Sequence, residues 1–229
     1  MRFWFFLCCW TGSTLVAAVP AEVRQALQAF RTEGPKGWSF TQTTSAEGRQ
    51  LVEHYDAGQP EFRRWTLITQ DSQPPSALDT KNYREKFTRQ SRGGDGPRLN
   101  QQIDLATLTT LADTPDQTTF TARLKTPENG DRTAAFLRAI FVWNKGSQTI
   151  KSFTIESIES FSPTLGVKIA EMRTTMTYSR PSADRPSLLE NVTTRLRGRA
   201  FWLKSLDADM IVEYSDYKPA VAPHRPRNK

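Results

Sequence analysis

Between residues 23 and 30 the apolar side chains Val23, Ala26, Leu27 and Phe30 recur at i, i+3, i+4 and i+7, which predicts one amphipathic helix that Gly34-Pro35 ends. From Trp38 the period falls to two. Trp38 to Thr43 alternates, Gln50 to Tyr55 carries Leu51 and Val52, and Phe62 to Thr69 places Trp65 and Leu67 on one face. Ala46-Glu47-Gly48 and Asp56-Ala57-Gly58 supply turns between these runs, the pattern of an antiparallel meander. Gln73-Pro74-Pro75 stops the β pattern, and Ser76 followed by Asp79 predicts a helix start in which the hydroxyl caps free backbone N–H groups. The spacing predicts that helix over 77–91, with Tyr83 and Phe87 four apart on one face and Glu85 and Arg89 placed to pair on another. Gly93-Gly94-Asp95-Gly96-Pro97 follows as a loop, and Ile103 to Leu111 reads as a short third helix.

The remainder returns to strands. Phe120, Ala122 and Leu124 share a face in Thr118 to Lys125. Phe136 to Trp143 is apolar almost throughout, so periodicity alone fits a buried helix or a doubly covered strand. Strand is preferred, because Asn144-Lys145-Gly146-Ser147 reads as a hairpin turn into the β-branched run Thr149 to Ser160. Phe161-Ser162-Pro163 then interrupts. Val167 to Ser179 carries the stripe Met172, Met176, Tyr178; Leu188 to Lys204 carries Val192, Leu196, Ala200, Trp202; Ala208 to Tyr217 carries Met210, Val212, Tyr214. Each segment sets an apolar face against a polar one, as an antiparallel sheet needs when one side meets water. The fold class expected is therefore mainly β with α-helical additions, one domain over 22–217, with 218–229 a basic, proline-containing tail.

The start of the chain changes the picture of location. Met1-Arg2 precedes the apolar run Phe3 to Trp10 and then the small-residue stretch Leu15 to Ala21, the order of a secretory signal peptide. Cleavage after Ala21 is favoured, with Ala18 the alternative, and the apolar run is shorter than the roughly 20 residues a membrane span requires. Cys8 and Cys9 both lie in this segment, so residues 22–229 hold neither thiol nor disulfide. About 208 residues suffice to bury a core. The net charge of +7 is spread along the chain rather than blocked. Together with export, this argues for a solvated basic surface or attraction to anionic lipid head groups, and against nucleic acid.

Candidate chemistry is sparse. The two histidines, His54 in a strand and His224 in the tail, have no spaced partner, so neither a hydrolase triad nor a zinc site is expected. Glu156 with Glu159 and Asp207 with Asp209 are unspecific acid pairs. Gly93-Gly94-Asp95-Gly96 lacks the lysine of a phosphate loop. No enzyme, cofactor or metal is expected. Arg195, Arg197 and Arg199 alternate on one strand face, a solvated surface or a docking site for phosphate or carboxylate. Asn191-Val192-Thr193 has the form of a glycosylation sequon.

An N-terminal helix, then the strand Trp38-Ser39-Phe40-Thr41-Gln42, a turn with Gly48, and Pro60-Glu61-Phe62-Arg63-Arg64-Trp65 together resemble the periplasmic lipoprotein-carrier superfamily, the outer-membrane lipoprotein chaperone and its relatives. The resemblance implies an unclosed β-barrel, a strongly curved antiparallel sheet with helices covering the concave face. It implies a periplasmic binding or carrier protein whose apolar cavity takes acyl chains or lipoprotein. The cavity candidates are then Trp65, Leu67, Phe120, Leu124, Met172, Met176, Leu196 and Trp202 on strands, with Tyr83 and Phe87 on the second helix. Methionine suits a cavity of variable occupants because its unbranched thioether adapts. An inner- or outer-membrane partner protein follows from the same likeness. The alternative is a protein-interaction or sensor module on the same scaffold, its interior filled.

Overall fold

The computed structural model of the chain describes residues 19–30, 32, 36–90, 102–126, 132–201 and 203–220, with backbone alone for 86–90. Two α-helices are present among these residues, α1 (Ala21–Ala29) and α2 (Ala77–Gln90). The strands are β1 (Trp38–Ala46), β2 (Arg49–Tyr55), β3 (Trp65–Gln70), β4 (Ile103–Asp113), β5 (Gln117–Leu124), β6 (Leu137–Asn144), β7 (Thr149–Ser157), β8 (Val167–Tyr178), β9 (Leu189–Ala200), β10 (Lys204–Ser205) and β11 (Ala208–Pro219).

Period-two patterning in nearly every segment gives one antiparallel sheet, in the order β3-β2-β1-β11-β9-β8-β7-β6-β5-β4, with β10 pairing the end of β9. β11 returns between β9 and β1, from Trp38 opposite Pro219 to Ala46 opposite Met210, and so joins two meanders. β3 and β4 are the free edges. Among the described residues they do not pair with each other, so the fold is mainly β with a sheet not closed into a barrel. Register shifts place bulges on β11 opposite Ser39–Thr41, on β4 and on β8, where an extra residue bends a strand and re-aims its side chains.

One row of cross-strand partners defines the inner face: Phe120, Phe141, Phe153, Met176, Val192, Val212, Thr44 and Leu51, on β5, β6, β7, β8, β9, β11, β1 and β2 in turn. α1 lies on one end of it. Val23 and Leu27, both 2% exposed, pack among Ile103, Leu108, Phe120 and Phe153. Phe30 sets its ring edge to Phe153 and Tyr178 at 6.1 and 5.1 Å. Burying a leucine or valine of this kind stabilises by about 1.5–3 kcal/mol, so the docked face of α1 holds the helix where its nine residues alone would not. A smaller cluster, Leu137, Phe161 and Ile169, sits beside it, with Phe136 stacked on Phe161.

The opposite face is a charge ladder. Arg138 pairs Glu156 at 2.6 Å, Arg173 reaches the same carboxylate at 3.5 Å, and Arg195 and Arg197 meet Asp209 at 4.0 and 2.7 Å.

Three elements depart from the expectation. Ile103 to Leu111 is strand, not helix: four residues of β4, 105–108, stand opposite Ala122 alone between the Asp104–Arg123 and Thr109–Thr121 pairs. Thr107 Oγ1 donates to the Asp104 carbonyl and accepts from the Arg123 N–H, pinning that bulge. Phe62 lies in a 3-10 turn, Glu61–Arg63, so β3 opens only at Trp65. The strand expected over 188–204 ends at Ala200, where Phe201 adopts φ 48° and turns the chain into β10. Residues 1–18, Gly93 to Pro97, Trp202, His224 and the Phe87 and Arg89 side chains lie outside those described.

Candidate functional site

The site is built on the inner face beyond the reach of α1. α2 begins with a capping box: the Ser76 hydroxyl accepts from the Asp79 N–H at 3.1 Å, and the Asp79 carboxylate accepts from the Ser76 N–H at 3.0 Å and its hydroxyl at 2.6 Å. These hydrogen bonds hold the Asp79 carboxyl below its usual range. From this start α2 brings Tyr83 over β2, where its hydroxyl donates to Glu53 Oε1 at 2.6 Å.

Glu53 is the charged residue among the buried side chains of the described chain, 6% exposed on the inner face between Leu51 and Tyr55. Gln42 Nε2 donates to its other oxygen at 3.0 Å. A buried carboxylate needs such donors, since an unsatisfied one costs the full desolvation of its oxygens. Burial, and then the hydrogen bond to Glu53, push the Tyr83 hydroxyl well above the ordinary phenol range, so it stays protonated and remains a donor.

Around this polar centre lies an aromatic basin. Phe40 stacks on Tyr55 at 4.9 Å and meets Trp65 at 5.8 Å, Tyr214 at 5.5 Å and Tyr217 at 5.5 Å. Tyr55 and Trp65 rings are 5.1 Å apart, and the Tyr217 hydroxyl donates to the Leu189 carbonyl at 2.6 Å. All five rings are half-buried. So are Met172 and Met176 on β8 and their partners Leu196 and Val192 on β9, with the Thr174 and Thr194 hydroxyls paired at 3.2 Å between them. The inner face therefore changes along its length: fully buried under α1, and partly covered from β8 to β3, where Met176, Val192 and Tyr214 still touch the main core and Met172 and Leu196 the smaller cluster.

The anticipated cavity residues divide along that line. Trp65 stands in the aromatic basin, Leu67 is buried opposite Glu53, and Tyr83 bonds Glu53 from above. Met172, Met176 and Leu196 form the half-open stretch. Phe120, 1% exposed, belongs to the filled core, and Leu124 bridges the two clusters. Phe87 lies on α2, its side chain not among those described. Glu53, Gln42, Tyr55, Tyr214 and Tyr217 were not among the cavity residues expected from the sequence, although Tyr214 stood in an apolar stripe. The available signal was parity: Leu51, Glu53 and Tyr55 share one face of β2, which puts a carboxylate where only apolar groups belong.

On the opposite face Arg195 and Arg197 share Asp209, while Arg199 stands exposed opposite Lys168. A cleft of about 820 Å³ at the β1–β2 hairpin is lined by Glu47, Arg49, Arg197, Asp207 and Asp209 among others. The hydrogen bonds between Arg197 and Asp209 lower the pKa of the acid and raise that of the base, so each is fixed further in its charged form. Such a pair holds charge rather than moving protons. His54 sits half-buried between Thr41 and Thr66 on the outer side. Among the described residues no three His, Cys, Asp or Glu side chains converge on a metal position, and no helix is long and apolar enough to cross a membrane.

No protein-family model matches the chain, and no curated protein matches it significantly. Among solved structures it is similar to an outer membrane lipoprotein-sorting protein domain from Vibrio parahaemolyticus, at 11% identity and a TM-score of 0.39, over 86% of this chain and 91% of that one.

Proposed function

We propose that the protein is a periplasmic binding or carrier protein for lipid-like or lipoprotein cargo, taken up on the half-open inner face between β8 and β3. One observation carries this reading: the inner face is fully buried under α1 yet leaves Met172, Met176, Leu196 and the Phe40–Tyr55–Trp65 basin only partly covered. Apolar area left partly in water is area that an acyl chain can cover, at about 25 cal/mol per Å². The Thr174–Thr194 hydroxyls and the Glu53–Gln42–Tyr83 group give the same surface polar points for an ester or head group. The signal-like first 21 residues supply export, and the spread positive charge suits an anionic surface or partner.

Native mass spectrometry of the protein from its exporting host, followed by organic extraction, tests the reading. A near-stoichiometric acyl-chain species is expected, displaced or weakened by Met176→Asp. A clean unliganded mass that persists when phospholipid or lipopeptide is offered overturns it and favours a protein-interaction module on the same scaffold.

A further inference from the structure

The end of the sheet where β8 begins and β9 ends carries the most exposed large apolar side chains of the described molecule. Leu165 and Leu203 are each 95% exposed and Phe201 is 70% exposed. They are neighbours. The Phe201 N–H donates to the Gly166 carbonyl at 2.6 Å, Val167 pairs Ala200, and the Leu203 N–H closes the turn onto the Ala200 carbonyl. The tip is also built to stay in this shape. Gly166 has φ 80°, and a Cβ there would come within 2.7 Å of the Phe201 ring, while Phe201 itself holds the left-handed φ of 48° that a bulky residue rarely adopts. A ring seated on a glycine and still facing water is poorly explained by packing within the chain.

Behind the apolar tip stands a basic collar. Lys168 and Arg199 are cross-strand partners, Lys204 pairs Ala200, and all three are exposed. Among the described residues none of the three forms an ion pair, in contrast to Arg195 and Arg197 one turn of the ladder away, which Asp209 neutralises. Apolar side chains ahead of unpaired cations match a bilayer in depth: the leucines and the ring reach the acyl boundary while lysine and arginine meet phosphate.

We propose that this tip, Leu165, Phe201 and Leu203 with Lys168, Arg199 and Lys204, docks the protein on an anionic lipid bilayer. The contact is peripheral and reversible, since three side chains and three cations fall far short of a membrane span. It does not depend on the inner face carrying cargo.

Flotation with phosphatidylglycerol-containing vesicles tests it, using the protein as it accumulates in its own cells, with the same N-terminus in every variant. Wild type is expected to float with anionic vesicles, to do so far less with pure phosphatidylcholine, and to be released by salt. Leu165→Ser with Leu203→Ser alters only solvent-exposed side chains, leaves folding intact, and lowers binding by roughly tenfold. Lys168→Gln with Arg199→Gln lowers it by roughly fivefold per charge at low salt. Equal flotation on uncharged vesicles, no flotation at all, or unchanged flotation of the Leu165→Ser, Leu203→Ser protein overturns the proposal. Acyl-chain occupancy by native mass spectrometry is unaffected by these variants, so failure of the tip and failure of the cargo reading are separately visible.

Discussion

Glu53 shows how one residue sets the character of a surface. Its carboxylate lies 6% exposed on the inner face between Leu51 and Tyr55, held by Tyr83 from α2 and Gln42 from β1. Because those two donors substitute for water, removing one leaves an acceptor buried and unmet. Tyr83→Phe is expected to lower stability by about 1–3 kcal/mol, read as a shift of the urea midpoint, and to loosen α2 from the sheet. Replacing both partners, Tyr83→Phe with Glu53→Leu, is expected to cost less than the two single changes added together; full additivity would show that the hydrogen bond is not the element joining helix to sheet. A second residue-scale constraint is Gly198. A Cβ there would stand 2.7 Å from the Lys168 carbonyl oxygen and 3.1 Å from Ile169. Backbone cannot yield as a flexible side chain does, so Gly198→Ala is expected to destabilise by about 1–3 kcal/mol, measured by thermal or urea unfolding.

At the scale of elements, how much the sequence tells depends on whether a segment keeps its period. α1, α2, β1, β2, β5 and β8 follow the patterns of Val23 to Phe30, Ser76 with Asp79, and the alternating runs to within a few residues. β4 does not, because its bulge shifts the buried face between Ile103 and Leu108, a spacing that fits no single strand template and imitates a helix. Bulges depend on the partner strand, and a single segment carries no record of its partner. The cap of α2 was legible from Ser76 and Asp79 alone, and it makes a prediction of its own. Ser76→Ala is expected to cost about 1 kcal/mol of stability at the helix start. Since hydrogen bonds from Ser76 lower the Asp79 pKa, the folded value lies below the unfolded one of 3.8. The cap's contribution is therefore complete above about pH 3.8 and is lost as pH falls through the lower folded value. The protection of the Ser76 and Asp79 amides, taken as exchange relative to the unstructured chain at the same pH, should fall over that acidic window and stay flat above it; an effect centred near neutrality would assign the transition to another group.

At the scale of the whole molecule, the sheet is a single surface with two different interiors, and this is the feature the sequence left hidden. Stripes such as Phe120–Ala122 and Met172–Met176 look alike as strings of residues, yet the first is fully buried in the core that holds Val23 and Leu27 while the second is only partly buried at the margins of the two clusters. The difference is made by where α1 lands and by β11 inserting between β9 and β1, both long-range outcomes. The two halves should then open at different free energies, because local stability follows buried apolar contact. Hydrogen exchange is expected to be slowest in β5, β6 and β7, beneath α1, and faster in α2 and β1 to β3, where the rings are only half-buried and α2 is fastened through Tyr83. If acyl cargo sits on the half-open stretch, adding it should slow exchange in β1 to β3, β8, β9 and α2 while leaving β5 to β7 nearly unchanged, since a ligand stabilises what it touches and what must be ordered to hold it. Protection appearing instead only at the β8–β9 tip would place the lipid on the Leu165–Phe201–Leu203 patch and leave the inner face as core.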